Sequence, residues 1–82
     1  DSTDITLFAN IFNALGEAHL ALNEPTNAKL QYLATDLLFS GDAEKHAEAL
    51  YQLSKLWEQT GDPQRAVEAK TRLKEQYGGS TW

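Results

Sequence analysis

The sequence predicts an all-α fold of four helices, arranged as antiparallel hairpins stacked on one another. Three observations carry this expectation. Apolar residues recur at helical spacing along most of the chain, short clusters containing Pro and Gly cut it into four pieces, and no useful stretch alternates with the period of a strand.

The first helix is expected from about Asp4 to Leu22. Ile5, Phe8, Phe12, Leu15 and Leu22 recur at steps of three, four or seven, and His19 fills the step between the last two. Leu7, Ile11, Ala14 and Ala18 widen that face, which predicts packing on two sides. Asn23-Glu24-Pro25 ends the helix, because Asn tolerates a left-handed conformation and Pro cannot continue a helix. Pro25 opens a second helix carrying Ala28, Leu30, Tyr32, Leu33, Leu37, Leu38 and Phe39. Ser40-Gly41-Asp42 closes it, with Gly41 expected in a left-handed C-terminal position and Asp42 as the next N-cap. The third helix, about Ala43 to Thr60, sets Ala49, Leu50, Leu53, Leu56 and Trp57 inward. In Gly61-Asp62-Pro63, Gly ends one helix, Asp caps the next and Pro takes its first position. The fourth helix runs to about Tyr77 with Ala66, Val67, Ala69, Leu73 and Tyr77 inward, and Gly78-Gly79-Ser80 stops it.

Shifted by 38 residues, the chain matches itself. Leu15 falls on Leu53, Asn23 on Gly61, Pro25 on Pro63 and Ala28 on Ala66. This predicts one domain over 1–82, with helix-turn-helix repeats at 4–41 and 42–78 and a tail at 79–82. A single helical hairpin cannot bury its own apolar face, so repeated hairpins stack.

These residues resemble the tetratricopeptide repeat family. In the second unit Leu50, Leu53-Ser54, Trp57, Gly61 and Ala66 fall on the family pattern; in the first, Phe12, Leu15-Gly16, His19, Asn23, Ala28 and Tyr32 do. Lys70 and Leu73 depart from its usual aromatic and Ala, Thr35 stands where Ala is common, and the Pro after the second helix is missing from both units. The family's usual period is about 34 residues, so the longer spacing here is expected to extend the second helix or its loop near Phe39–Lys45. The resemblance implies a right-handed α-α superhelix with the first helix of each unit lining a concave groove. It also implies a protein or peptide partner held there by Asn10, Asn13, Glu17, Leu20 and Ala21 of the first unit and Glu48, Tyr51, Lys55, Glu58 and Gln59 of the second. The end Leu73–Trp82 is similar to unit boundaries of repeats in bacterial cell-envelope proteins, which implies a bacterial periplasmic or envelope location.

Composition narrows the function. Seven basic residues stand against twelve acidic ones, for a formal net charge of −5. Nucleic acids and anionic membranes both select basic surfaces, so neither is an expected partner. No apolar run approaches the length of a membrane span, and the absence of Cys excludes disulfides and thiolate chemistry. The charge is uneven: residues 1–41 hold only Lys29 against five acids.

Catalytic and cofactor-binding patterns are not found. The sequence holds no His-Glu-x-x-His, phosphate-binding Gly-rich loop or Gly-x-Ser-x-Gly, and neither an enzyme, a cofactor nor a metal is expected. His19 is expected to pack on the apolar line of the first helix. His46, beside Glu44 and Glu48, is expected on the solvated surface, as are Glu68 with Arg72 and the cluster Arg65, Lys70, Arg72 and Lys74. The function read from the sequence is a noncatalytic protein–protein interaction scaffold; the alternative is self-assembly into a homo-oligomer through the open ends of the stack, near Leu7, Phe8, Ile11 and Trp82.

Overall fold

The computed structural model describes residues 2–82. It contains four α-helices and, among the described residues, no strand: α1 (Ser2–Ala21), α2 (Pro25–Leu38), α3 (Ala43–Gln59) and α4 (Pro63–Tyr77). The backbone of α2 lies against α1 and α3. The α3 helix approaches all three others, and α4 approaches only α3.

The boundaries follow local chemistry. Asp42 caps α3 by accepting the Lys45 N–H at 3.0 Å, and it also accepts the Thr6 hydroxyl at 2.8 Å, which ties the start of α1 to the start of α3. Asp62 accepts the Arg65 N–H at 3.2 Å, and Pro25 and Pro63 open α2 and α4, where a missing N–H leaves no intrahelical bond unmade.

The internal repeat is written in the backbone. Glu24 N–H donates to His19 O at 2.8 Å, and 38 residues on Asp62 N–H donates to Trp57 O at 2.8 Å. Asn23 N–H to Leu20 O repeats as Gly61 N–H to Glu58 O, and Leu22 N–H to Ala18 O as Thr60 N–H to Leu56 O. The pivot residues of both turns are left-handed, Asn23 at φ 57° and Gly61 at φ 89°. This is the helix-ending geometry that Gly and Asn accommodate at least cost. Gly41 is not in that conformation, and α2 ends instead at Phe39, whose N–H donates to Thr35 O at 3.0 Å.

The core is built from Ala28, Tyr32, Ala49, Leu53, Leu56 and Ala69, with Leu20, Leu33 and Trp57 packed around it. Gly16 is small because Tyr32 lies across it: a Cβ there would sit 2.5 Å from the ring. Trp57 closes the second unit's turn between two cations, with Lys29 Nζ at 4.4 Å and the Arg65 guanidinium at 4.9 Å from its ring. His19, its counterpart, is partly buried and meets Glu24 at 2.7 Å.

Two expected faces differ from those observed. The α1 helix turns Ala9, Asn13 and Gly16 inward, leaving Phe8, Ile11 and Leu15 each 42% exposed. The reason lies in the repeat. Their counterparts in α3 (His46, Ala49 and Leu53) are buried where that helix lies against α2 and α4, and no element of the described chain lies on the matching side of α1. In α4, Val67 is 61% exposed and only Ala66 and Ala69 are buried, because α4 has a backbone neighbour on one side alone.

Candidate functional site

Two polar arrangements stand out, one inside the stack and one on its surface. The interior one centres on Asp36. Its Oδ1 meets His46 Nε2 at 2.6 Å and Arg72 Nη2 at 2.8 Å, and its Oδ2 accepts Arg72 Nη1 at 3.0 Å. His46 Nδ1 lies 2.6 Å from the Tyr77 hydroxyl. A carboxylate only accepts, so in the neutral ring Nε2 carries the proton and Nδ1 accepts from Tyr77. Burial pushes the Asp36 carboxyl up, but hydrogen bonds and charge from His46 and Arg72 outweigh it and hold the group at about 2. Burial pushes the Tyr77 hydroxyl up, which makes it a poor phenolate. The arrangement therefore joins α2, α3 and α4.

The expected solvated position of His46 is thus corrected, as is the expected pairing of Arg72, whose side chain stays 42% exposed. His46 is 3% exposed, because the first turn of α3 faces α2 and Asp36 and Tyr77 satisfy both ring nitrogens. Arg72 reaches across to Asp36 instead of pairing with Glu68. Asp36 went unnoticed in the sequence, although a carboxylate inside the apolar run Leu33–Phe39 needs a buried partner.

The expected groove set divides. Asn10, Glu17 and Ala21 on α1 and Lys55, Glu58 and Gln59 on α3 are exposed. Asn13 is not: its amide donates to Lys45 O at 3.0 Å and to Glu48 Oε1 at 3.3 Å, and its Oδ1 accepts the Thr35 hydroxyl at 2.7 Å. Asn13 thus joins α1, α2 and α3 from within. Leu20 packs on the core, and Glu48 is partly covered between Asn13 and Lys45.

A cleft of about 530 Å³ lies between α3, α4 and the tail. Of the expected groove residues it includes only Tyr51 and Lys55. Lys70, Lys74, Tyr77 and Trp82 complete its chemically distinctive lining, and no Asp or Glu is among the lining residues. Tyr51 sits between Trp82, its ring centre 5.6 Å away, and the Lys55 ammonium at 5.2 Å. Lys70 reaches Glu58 only at 3.9 Å, with both side chains well exposed. The surface thus offers three cations around aromatic walls, where a ligand carboxylate displaces little beyond water.

Among the described residues no group of three or more His, Asp or Glu side chains is placed to hold a metal ion, and no helix is long and apolar enough to cross a membrane. Comparison with protein-family profiles, with curated proteins and with solved structures finds no match to this chain.

Proposed function

We propose that this chain is a noncatalytic protein–protein interaction scaffold of tetratricopeptide type, its two hairpins forming a short segment of superhelix. The partner is a protein segment bearing carboxylates beside an apolar or aromatic side chain. It lies along the exposed positions of α1 and α3 and ends in the cleft at Tyr51. The observation that carries this reading is the cleft itself: Lys55, Lys70 and Lys74 line it with Tyr51 and Trp82, and no Asp or Glu is among its lining residues. The matching turns at Asn23 and Gly61 support the repeat architecture.

The test is selection of short displayed peptides on the purified domain. Sequences combining Asp or Glu with an aromatic or Leu are expected to enrich. Their binding should weaken about tenfold or more in the double variant Lys55→Glu, Tyr51→Ala and should fall with added salt. Enrichment of basic peptides, or binding that is indifferent to the double variant while circular dichroism shows the fold intact, refutes the reading.

A further inference from the structure

The first unit carries a face that the second unit has already put to use. Phe8, Ile11, Leu15, Ala18 and Leu22 follow one another at steps of three, four, three and four, the spacing of a helix seam that receives another helix. All five are exposed, and Leu22, just past the end of α1, is 68% exposed. Moved by 38 residues, the first four become His46, Ala49, Leu53 and Leu56, every one buried. On α2, Leu30 and Ala34 correspond to Glu68 and Arg72, and Arg72 reaches Asp36 of the first unit. The counterpart of the interface between the units is therefore present on the first unit, apolar and uncovered. It is also held in shape, since Phe8 and Phe12 both stack on Phe39 at 5.3 and 5.6 Å.

What would cover it follows from where apolar surface lies in this molecule. Of the exposed large apolar side chains, Leu7, Phe8, Ile11, Leu15, Leu22, Leu30, Leu37 and Leu38 belong to the first unit, Val67 to the second and Trp82 to the tail. Repeating the intramolecular stacking head to tail would set this face against the outward side of α4. There the counterparts of Lys29, Tyr32, Leu33 and Asp36 are Val67, Lys70, Thr71 and Lys74, which place ammonium groups where apolar cover is needed. The matching apolar surface is the same face of another copy.

We infer that the seam on α1 is a homodimer surface, taking a second copy of this chain antiparallel across a two-fold axis through Leu15. Ile11 then meets the second copy's Ala18, and Phe8 meets its Leu22, so large residues fall opposite smaller or terminal ones. With Leu30 and Leu38 at its edge, the contact can remove roughly 600 Å² of surface per copy, close to the ~600 Å² per partner at the lower end of specific interfaces.

The test combines sedimentation with cross-linking. Between micromolar and millimolar concentration the mass is expected to double. Leu15→Glu should weaken the dimer at least tenfold with helicity unchanged, and Ile11→Gln is the milder companion if that variant unfolds. The chain has no Cys, so Leu15→Cys alone should give a disulfide-linked dimer on mild oxidation. Lys55→Glu with Tyr51→Ala should leave the dimer intact, which separates this surface from the peptide cleft. A monomer at all concentrations overturns the inference and leaves the face to some other occupant. Dimerisation that survives Leu15→Glu overturns it too, as does a link that forms only in a Phe8→Cys, Lys74→Cys double variant, which would establish head-to-tail stacking.

Discussion

Replacing Asp36 by Asn keeps the size and removes the charge that holds three helices together. The side chain is 5% exposed, so its bonds to His46 and Arg72 are made out of water. The carboxyl titrates near 3.8 when unperturbed and at about 2 in the fold. That difference corresponds to about 2.5 kcal/mol of stability, by the conversion of about 1.4 kcal/mol per pKa unit. The sign is fixed by the direction of the shift. A depressed carboxyl stabilises the fold fully above its unfolded value and ceases to as pH falls through its folded value. Urea titrations followed by circular dichroism at pH 7, 4, 3 and 2 should find Asp36→Asn less stable by about 2–4 kcal/mol at pH 7, because an amide donor then faces the Arg72 donors. The gap should narrow between pH 4 and 2, where the wild-type carboxyl takes up its proton. Two stability curves that stay parallel down to pH 2 would refute the assignment of Asp36 as the charged centre of the joint.

Gly16→Ala should destabilise by about 1–3 kcal/mol despite the ~1 kcal/mol that Ala gains in helix propensity, because its Cβ would meet the Tyr32 ring at 2.5 Å; thermal unfolding measures it, and Gly16→Ala with Tyr32→Leu should recover part of the loss. The two turns should respond in opposite senses. Gly61→Ala costs about 1–2 kcal/mol through its φ of 89°, although nothing lies within 4 Å of the added Cβ, whereas Asn23→Gly at φ 57° is neutral or gains a few tenths in the same assay.

The helices were legible because their ends are local chemistry. Asp42, Asp62, Pro25 and Pro63 act within a turn of themselves, and the bounds of all four helices lie within two residues of expectation. Which face of α1 is buried was not legible. Periodicity locates the apolar stripe of Phe8, Ile11 and Leu15 but says nothing about whether a neighbour exists to cover it. The buried side is instead made of Ala9, Asn13 and Gly16, residues chosen for close approach and one hydrogen-bonded joint. His46 was misread for the same reason: its flanking Glu44 is exposed and Glu48 turns toward Asn13, while its own side chain answers to Asp36 and Tyr77, ten and thirty-one residues away. Of the candidate groove, exposure agreed at Asn10, Glu17, Ala21, Lys55, Glu58 and Gln59. The cleft was hidden because Lys70 and Lys74 meet Tyr51 and Trp82 only through the pairing of α3, α4 and the tail.

The repeated backbone carries side chains that do not repeat, and the difference sets the order of the units. At the joint, the second unit brings His46 and Arg72, and the first supplies Asp36. The corresponding residue on the second unit's far side is Lys74, and the counterparts of His46 and Arg72 on the first unit are Phe8 and Ala34. A second unit offered to another second unit would set Lys74 against Arg72 and His46, with no carboxylate between them. A first unit offered to that same end would bury Phe8 against an ammonium. Both wrong pairings are opposed by desolvation or like charge, and neither gains the bidentate Arg72–Asp36 bond. The charges at positions 36 and 74 therefore favour the observed first–second joint over either wrong pairing.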